Sequence, residues 1–422
     1  MKRRHSSSDR DFNAETLALG LGYDPVRSEG SVKPPVFLTS TFQFASADEG
    51  RRFFELAYGL RTADQGELPG LIYSRLNNPN LQIFEERMAA WDRTDKGLSF
   101  ASGMAAISTT MLALLRPGDR ILSTAPIYGG THYLFESILP PLGITCSQVM
   151  AGTDAATRLR EAAAMASPGS VAMLYLETPA NPSNVLTDIA EVVALAAELE
   201  AQTGRRPVVA VDNTFLGPVF QRPAAQGADL VIYSATKFIG GHSDLIAGVV
   251  TGPQALMDSI SVYRTILGTM PNPFTGWMLL RSLETLSIRM RRQAKNARKL
   301  AELLAAHPRV SRVYYPGNLV EGDPQHSIFV RQCSGPGSLI AFEVKGGREA
   351  AYTVLDRFEV FRLAVSLGGT ESLIEHPATM THSDVPGDVL DGYGVTPGLI
   401  RMSVGLEHLS DLRRDLDNAL SF

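Results

Sequence analysis

The chain has few cysteines and no long apolar run, and each shortage excludes a class of protein. Its 422 residues include two cysteines, Cys146 and Cys333, too few and too far apart for a disulfide framework. Both are expected to be small core residues. No stretch approaches the ~18 apolar residues of a membrane span, and no C-x-x-C or H-E-x-x-H spacing suggests a metal site. We therefore expect a soluble, cytoplasmic protein without a metal.

The chain also has no large excess of positive or negative charge. The 39 Lys and Arg residues nearly balance the 44 Asp and Glu residues, and the net charge is −5. No basic stripe interleaved with aromatic residues is present, which argues against nucleic acid as a partner. Residues 1–10 are basic and serine-rich but lead into no apolar segment, so a disordered tail is expected rather than a secretory signal.

Predicted strands and helices alternate between residues 80 and 285. The strands fall at 97–101, 120–124, 171–177, 207–212 and 229–234, and the helices at 81–91, 104–115 and 188–200. Strands separated by helices predict β-α-β units and a mostly parallel sheet covered on both faces. Ligands of such sheets bind beyond the carboxyl ends of the strands.

The two ends of the chain have a different character. Residues 11–76 show weak periodicity and are expected to be irregular and to wrap another surface, such as that of a second subunit. After residue 285, a helix at 289–306, strands at 310–315 and 338–344 and a helix at 348–358 predict a separate α+β domain. The expected division is an N-terminal arm at 1–76, a large α/β domain at 77–287 and a C-terminal domain at 288–422.

Lys237 follows the apolar strand 229–234, and Asp212 ends the apolar strand 207–212. Burial lowers the pKa of a lysine and makes its neutral amine available for Schiff-base chemistry. A lysine and a carboxylate at neighbouring strand ends are the two groups that pyridoxal phosphate requires. The lysine bonds to its aldehyde, and the carboxylate pairs with its pyridinium nitrogen. Glu177 falls at a third strand end, which favours one shared site.

Each of these residues also has an ordinary structural interpretation. Lys237 alone fits a solvated lysine at a strand end, and Asp212 alone fits a turn or helix-capping residue. Ser234 and Lys237 also match the S-x-x-K pattern of penicillin-binding enzymes. That chemistry needs S-D-N and K-T-G segments as well, and neither occurs in the chain.

A phosphate pocket and a ring-stacking residue complete the hypothesis. Ser102-Gly103-Met104 forms a small-residue turn that opens a helix, where free backbone N–H groups suit a phosphate. Ser234 and Thr236 add hydroxyl donors beside Lys237. Tyr128 follows the strand 120–124 and is placed to stack on the pyridine ring or to act as an acid or base. A turn without a ligand and a tyrosine covering the core remain the alternatives.

Several longer motifs carry a resemblance to a known family. In chain order they are Ile72-Tyr73-Ser74-Arg75 with Asn78-Pro79-Asn80, Ala101-Ser-Gly-Met-Ala-Ala106, Tyr128-Gly-Gly-Thr131, Glu177-Thr-Pro-Ala-Asn181-Pro182, Val211-Asp-Asn-Thr214, Tyr233-Ser-Ala-Thr-Lys237, Gly241-His-Ser243, Leu363-Ala-Val-Ser-Leu-Gly368 and Arg401-Met-Ser-Val-Gly-Leu-Glu407. From about residue 15 to its C-terminus the chain resembles the Cys/Met-metabolism (trans-sulfuration) family of pyridoxal-phosphate enzymes. The resemblance implies fold type I, that of aspartate aminotransferase, and a homotetramer built as a dimer of dimers.

The resemblance also implies a role for each matching residue. Lys237 is the Schiff-base lysine, Asp212 the pyridinium partner and Tyr128 the stacking acid or base. Tyr73 and Arg75 reach the phosphate of the neighbouring subunit. The substrate carboxylate is bound by a group of residues from both domains: Arg401, Asn181 and Ser366.

Within the family, the sequence favours a methionine γ-lyase. Val365 stands where the γ-enzymes that handle cystathionine carry glutamate, and an apolar residue there favours a substrate with an apolar tail. Against this, Gly130 stands where methionine γ-lyases carry cysteine. The stretch 57–70 ahead of Tyr73 is unusual for the family, and so is Asn80 at the end of the motif that contains Tyr73. The alternatives are a γ-replacement enzyme acting on an O-acyl-homoserine, a cystathionine γ- or β-lyase, and a non-catalytic relative of the fold.

Overall fold

The structure is a computed structural model that describes residues 12–64, 67, 70–383 and 385–421. The disordered tail expected at residues 1–10 lies outside these ranges. No helix in the described ranges is long and apolar enough to cross a membrane. The same ranges contain no group of three or more His, Cys, Asp or Glu side chains that could hold a metal ion. Both cysteines are free and half-buried, and burial raises the pKa of each thiol.

Seven strands form the larger sheet. They are β1 Lys96–Phe100, β2 Arg120–Ala125, β3 Thr145–Met150, β4 Val171–Glu177, β5 Val208–Asp212, β6 Leu230–Tyr233 and β7 Gly248–Gly252, in the order β1-β7-β6-β5-β4-β2-β3. Strand β7 is antiparallel to both its neighbours, and β2 to β6 are parallel. The prediction of a mostly parallel sheet is confirmed, although β3 and β7 were not among the predicted strands.

Helices cover both faces of this sheet because successive strand residues point to opposite sides. The helices before and around it are α1 Ala14–Gly20, α2 Ala47–Ala57, α3 Pro79–Asp92, α4 Gly103–Leu114, α5 Gly129–Tyr133, α6 Ala155–Ala164, α7 Ile189–Thr203, α8 Gly217–Phe220, α9 Gln254–Leu267 and α10 Pro273–Leu283. In strand β6, Val231 packs in the cluster that contains Phe84 of α3. Its neighbour Ile232 packs in the opposite cluster, with Ile107 of α4.

The second sheet lies C-terminal to residue 288. Its strands are β8 Val310–Tyr314, β9 Leu339–Val344, β10 Arg362–Leu363, β11 Leu373–Glu375 and β12 Leu399–Ser403, in the order β10-β11-β12-β9-β8. The accompanying helices are α11 Leu286–Ala306, α12 His326–Gln332, α13 Gly347–Asp356, α14 Gly387–Gly392 and α15 Leu409–Leu420. Helix α11 runs across the boundary that we predicted at residue 288.

The expectation that residues 11–76 are irregular is wrong in two places, where α1 and α2 form. The side chain of Ser46 accepts the N–H of Glu49 and caps α2, so the sequence does carry a signal for the start of this helix. Helix α1 packs on its own chain, with Ala18 in the core of the large domain. The first part of the segment is therefore held by the subunit to which it belongs.

Asn184 connects the two domains. Its side-chain amide donates to the carbonyl oxygens of Tyr314 on strand β8 and Leu339 on strand β9, each at 3.0 Å. Asn184 is buried and has a φ of 56°. This left-handed conformation is one that asparagine tolerates better than other side chains do.

We expect Asn184→Ala to lower the free energy of unfolding by about 2–4 kcal/mol. The change leaves the two carbonyl groups without this donor and puts alanine in a left-handed backbone conformation that asparagine tolerates better. The matched control is Asn184→Gly, which loses the same hydrogen bonds without backbone strain and should cost less. Denaturant unfolding of the three proteins measures both effects. Equal stability of Asn184→Ala and the unchanged protein would contradict the proposed connection.

Candidate active site

Lys237 lies on the loop after strand β6, and its amine points into a cavity. The Nζ atom donates to Ser366 Oγ at 2.8 Å. Burial, and after it the positive charge of Arg401, lowers the pKa of Lys237 to about 8, while Glu375 acts in the opposite direction. A lysine with this pKa has a much larger neutral fraction near neutral pH than a free lysine, and the neutral amine is the form that attacks an aldehyde.

The cavity has a volume of about 550 Å³ and lies at the carboxyl edge of the larger sheet. It brings together every residue predicted for the site except Tyr73 and Arg75. The predicted residues that line it are Ser102, Gly103, Met104, Tyr128, Asn181, Asp212, Ser234, Thr236, Lys237, Val365, Ser366 and Arg401. These residues come from both domains, so the cavity exists only where the domains meet.

Asp212 is a buried carboxylate that its neighbours hold in one orientation. Its Oδ1 atom accepts the backbone N–H of Thr214 at 3.0 Å and the Thr214 hydroxyl at 2.6 Å. The hydroxyl of Tyr175 lies 3.4 Å from Oδ2. Burial raises the pKa of Asp212, and these hydrogen bonds oppose that effect. A cation placed against Asp212, such as a protonated ring nitrogen, would stabilise the carboxylate further.

The N-terminus of helix α4 opens onto the cavity. Ser102 caps the helix by accepting the N–H of Ala105 at 2.9 Å, and the N–H groups of Gly103 and Met104 belong to the first turn, which has no partner within the helix. Gly103 packs so closely on Ser234 that an added β-carbon would lie 2.9 Å from the serine Cβ. A helix N-terminus with a serine hydroxyl beside it is a donor set that fits a phosphate.

Thr236 lies in the same wall, but its hydroxyl has another role in this structure. It donates to the carbonyl oxygen of Ala247 at 3.1 Å and accepts the N–H of Ala247 at 3.0 Å. These bonds fix the loop that carries Lys237 against strand β7. The role of Thr236 as a phosphate donor stays a prediction, as do the other cofactor contacts.

Arg401 is a buried guanidinium group with partners from three parts of the chain. One nitrogen donates to Asn181 Oδ1 at 3.0 Å, and the other to the carbonyl oxygen of Ser366 at 3.0 Å. The second nitrogen also lies 2.8 Å from Glu375 Oε1. Burial lowers the pKa of Arg401, and the negative charge of Glu375 acts against this. The arrangement holds the guanidinium at the cavity wall, where it can bind a carboxylate.

Tyr73 and Arg75 lie outside this cavity in their own chain. Arg75 donates to the carbonyl oxygen of Thr265 at 2.9 Å, and its guanidinium carbon lies 5.8 Å from the centre of the Tyr73 ring. Both residues line a separate, shallower cavity of about 260 Å³ with the aromatic residues Phe44, Phe54 and Tyr58. Their predicted contact with a cofactor therefore requires a second subunit.

Three further residues of the site, two of them buried, have no chemical role assigned from the sequence. Glu375 is the register partner of Arg401 in the antiparallel pair β11–β12, so only the strand pairing reveals their ion pair. Thr214 fixes Asp212 and also accepts the N–H of Ser234 at 2.9 Å. Glu177 lies beside Asp212 in the parallel pair β4–β5. Its position at the end of a predicted strand is the feature of the sequence that indicates its place in the site.

The fold and the donor set together define a pyridoxal-phosphate-dependent enzyme. The chain belongs to the family of Cys/Met metabolism PLP-dependent enzymes, whose model matches residues 15–421. It is 39% identical to an L-methionine gamma-lyase of Pseudomonas deceptionensis over 97% of this chain and 98% of that protein. It is 37% identical to a cystathionine beta-lyase of Coxiella burnetii over 98% of this chain and 100% of that protein.

Solved structures agree with this assignment. The crystal structure of cystathionine gamma synthase from Xanthomonas oryzae pv. oryzae in complex with cystathionine matches with a TM-score of 0.86 and 34% identity. The match covers 97% of this chain and 98% of that chain. These relatives carry several different activities. The comparisons therefore establish the family, the cofactor and the fold, and leave the particular reaction to be argued from the cavity.

We expect the reactivity of Lys237 in the cofactor-free enzyme to rise with pH around a midpoint near 8, because only the neutral amine reacts. Arg401→Gln should raise this midpoint by removing a positive charge that disfavours protonation. Trace labelling with acetic anhydride, read by mass spectrometry of the Lys237 peptide, measures the midpoint, and the exposed Lys299 corrects for reagent loss. The control is Arg292→Gln on the exposed face of α11. A midpoint near that of free lysine would contradict the burial of the amine.

Proposed function

We propose that this enzyme eliminates the γ-substituent of a sulfur-containing or homoserine-derived amino acid, as a methionine γ-lyase does. The observation that carries the proposal is the apolar wall of the cavity at Val365. This residue precedes Ser366, whose carbonyl oxygen binds Arg401, and both line the cavity. A substrate held by Arg401 therefore has an apolar side chain beside its carboxylate site. Relatives named L-methionine gamma-lyase at 38–40% identity support the same activity.

Different residues of the cavity would bind different parts of the cofactor. The N-terminus of α4 and Ser234 would hold the phosphate, Asp212 the ring nitrogen, and Tyr128 the face of the ring. When bound, pyridoxal phosphate withdraws electrons from the carbon atoms of the attached amino acid. Asp212 supports this by keeping a negative charge opposite the ring nitrogen, in an orientation fixed by Thr214.

The remaining residues orient the substrate and move protons. Arg401 binds the substrate carboxylate, and Asn181 and Ser366 hold its guanidinium plane in place. The Lys237 amine can accept a proton from the carbon chain of the substrate, since its lowered pKa keeps a neutral fraction available. Tyr128 lines the same cavity, and its hydroxyl is the group we assign to protonate the departing sulfur.

A second candidate reaction is γ-replacement, in which an incoming thiol or sulfide takes the place of the γ-substituent. Gly130 favours it, because the family resemblance associates cysteine at this position with methionine γ-lyases and glycine with the cystathionine enzymes. A β-carbon on Gly130 would lie 2.8 Å from the Tyr128 ring and 3.2 Å from the sulfur of Met104. The glycine therefore allows Tyr128 its present position over the cavity.

Product analysis distinguishes the two reactions. The enzyme is incubated with methionine, cystathionine or O-acetyl-homoserine, each with and without an added thiol. γ-Elimination predicts release of a four-carbon keto acid from methionine without any thiol. A requirement for thiol, with a new thioether amino acid as product, would overturn the proposal in favour of γ-replacement.

We expect Val365→Glu to shift kcat/KM toward cystathionine and away from methionine by roughly 5- to 150-fold. The apolar wall leaves the distal ammonium group of cystathionine without a counter-charge, and glutamate would supply one. The methyl group of methionine gains nothing from that charge. The matched control is Leu363→Glu, a half-exposed position two residues earlier that is not part of the cavity lining. An unchanged preference in Val365→Glu would contradict the assignment of this wall.

We also propose that the active unit contains at least two copies of the chain, within a dimer of dimers. Tyr73 and Arg75 support this, because they lie outside their own cavity and are predicted to contact a cofactor phosphate. Mixing Lys237→Ala chains with Arg75→Ala chains should then restore activity, since some hybrid sites contain both intact residues. Mixing Lys237→Ala with Asp212→Asn is the control and should restore none. Absence of recovery after verified subunit exchange would place Arg75 outside the site.

A further inference from the structure

Glu177 is a buried carboxyl group in the cavity for which the proposed function has no use. Its residue is only 4% exposed. Its Oε2 atom accepts the backbone N–H of Tyr128 at 2.8 Å, and the N–H of Asn181 lies within hydrogen-bonding reach. No hydroxyl group donates to it within the described part of the chain. Glu177 thus holds two segments of the site by accepting hydrogen bonds from their backbones.

In the described part of the chain, the cationic groups around the cavity have their direct partners elsewhere than at Glu177. Arg401 is 2.8 Å from Glu375, which compensates its charge. The amine of Lys237 donates to Ser366 and is the group assigned to the cofactor aldehyde. The ring nitrogen is assigned to Asp212. These two side chains are the cationic groups among the described cavity-lining residues. The charge of Arg401 favours an ionised Glu177 only in part, because Glu375 is the ion-pair partner of Arg401.

Asp212 and Glu177 also compete for a single negative charge. They are Cα partners at the ends of the parallel strands β4 and β5, and like charges in a buried site do not both ionise readily. Asp212 receives two hydroxyl groups and one N–H, which stabilise its ionised form. Burial, and after it the charge of Asp212, raises the pKa of Glu177 well above its usual range, against the opposing effects of Tyr128, Arg401 and Asn181.

We infer that Glu177 is protonated at neutral pH in the cofactor-bound enzyme and acts as a neutral positioning residue for Tyr128. A neutral Glu177 leaves Asp212 as the single negative charge opposite the ring nitrogen. A neutral Glu177 still accepts the Tyr128 N–H at the start of helix α5. This hydrogen bond fixes the backbone position from which the tyrosine side chain extends. The inference rests on the role that the proposed function gives to Asp212.

Infrared spectroscopy of the cofactor-bound enzyme tests the protonation state without reference to activity. A protonated carboxyl group gives a carbonyl band above the amide region, which shifts in D₂O. We expect such a band at neutral pH, displaced by ¹³C labelling of glutamate side chains, absent in Glu177→Gln and retained in Glu375→Gln. Absence of the band from the unchanged enzyme, insensitivity to the glutamate label, or persistence in Glu177→Gln would overturn the inference.

Kinetics of paired variants test the positioning role. Glu177→Gln keeps a neutral acceptor for the Tyr128 N–H, whereas Glu177→Leu removes it, so the glutamine variant should retain roughly tenfold more kcat/KM. Equal losses in both would mean that a charge is required, and would overturn the neutral role. The two levels of inference can fail separately. An active Asp212→Asn enzyme would remove the assignment of Asp212, whereas the infrared band reports on Glu177 alone.

Discussion

The site depends on three adjacent parallel strands that end at the same edge of a buried sheet. Strands β4, β5 and β6 carry Glu177, Asp212 and Lys237 at or just beyond their carboxyl ends. Because the strands are paired in register, residues that are far apart in sequence meet without any flexible connection. The apolar clusters on both sheet faces hold this edge rigid. Catalytic groups on such a framework keep their geometry better than groups on loops do.

Burial gives this edge its chemistry. Removing water lowers the pKa of Lys237, which favours the neutral amine. It also raises the pKa of Asp212, so a cationic partner stabilises the ionised carboxylate more strongly here than it would in water. The same burial would make Arg401 costly if it were unpaired, and Glu375 provides its counter-charge. The C-terminal domain is therefore part of the candidate site, because it supplies both members of this ion pair and Ser366, which accepts a hydrogen bond from the lysine amine.

Local sequence patterns predicted some elements closely. Strand β4 was predicted with its observed bounds, and helix α3 within two residues at either end. Strands β3 and β7 were missed because β3 is a half-buried edge strand and β7 is short and begins and ends with glycine. Helix α2 was missed although its sequence marks it, both by the capping residue Ser46 and by apolar residues at helical spacing.

The sequence alone determined the chemical nature of the site. A lysine and an aspartate at strand ends, a small-residue turn before a helix, and the family motifs around them indicated a pyridoxal-phosphate enzyme before any coordinate was known. Tertiary structure decided which groups touch one another. The pairing of Arg401 with Glu375, the proximity of Glu177 to Asp212, and the separation of Arg75 from its own cavity follow from strand order and domain packing. Such contacts join residues far apart along the chain, and the spacing of apolar and polar residues within a short segment does not predict them.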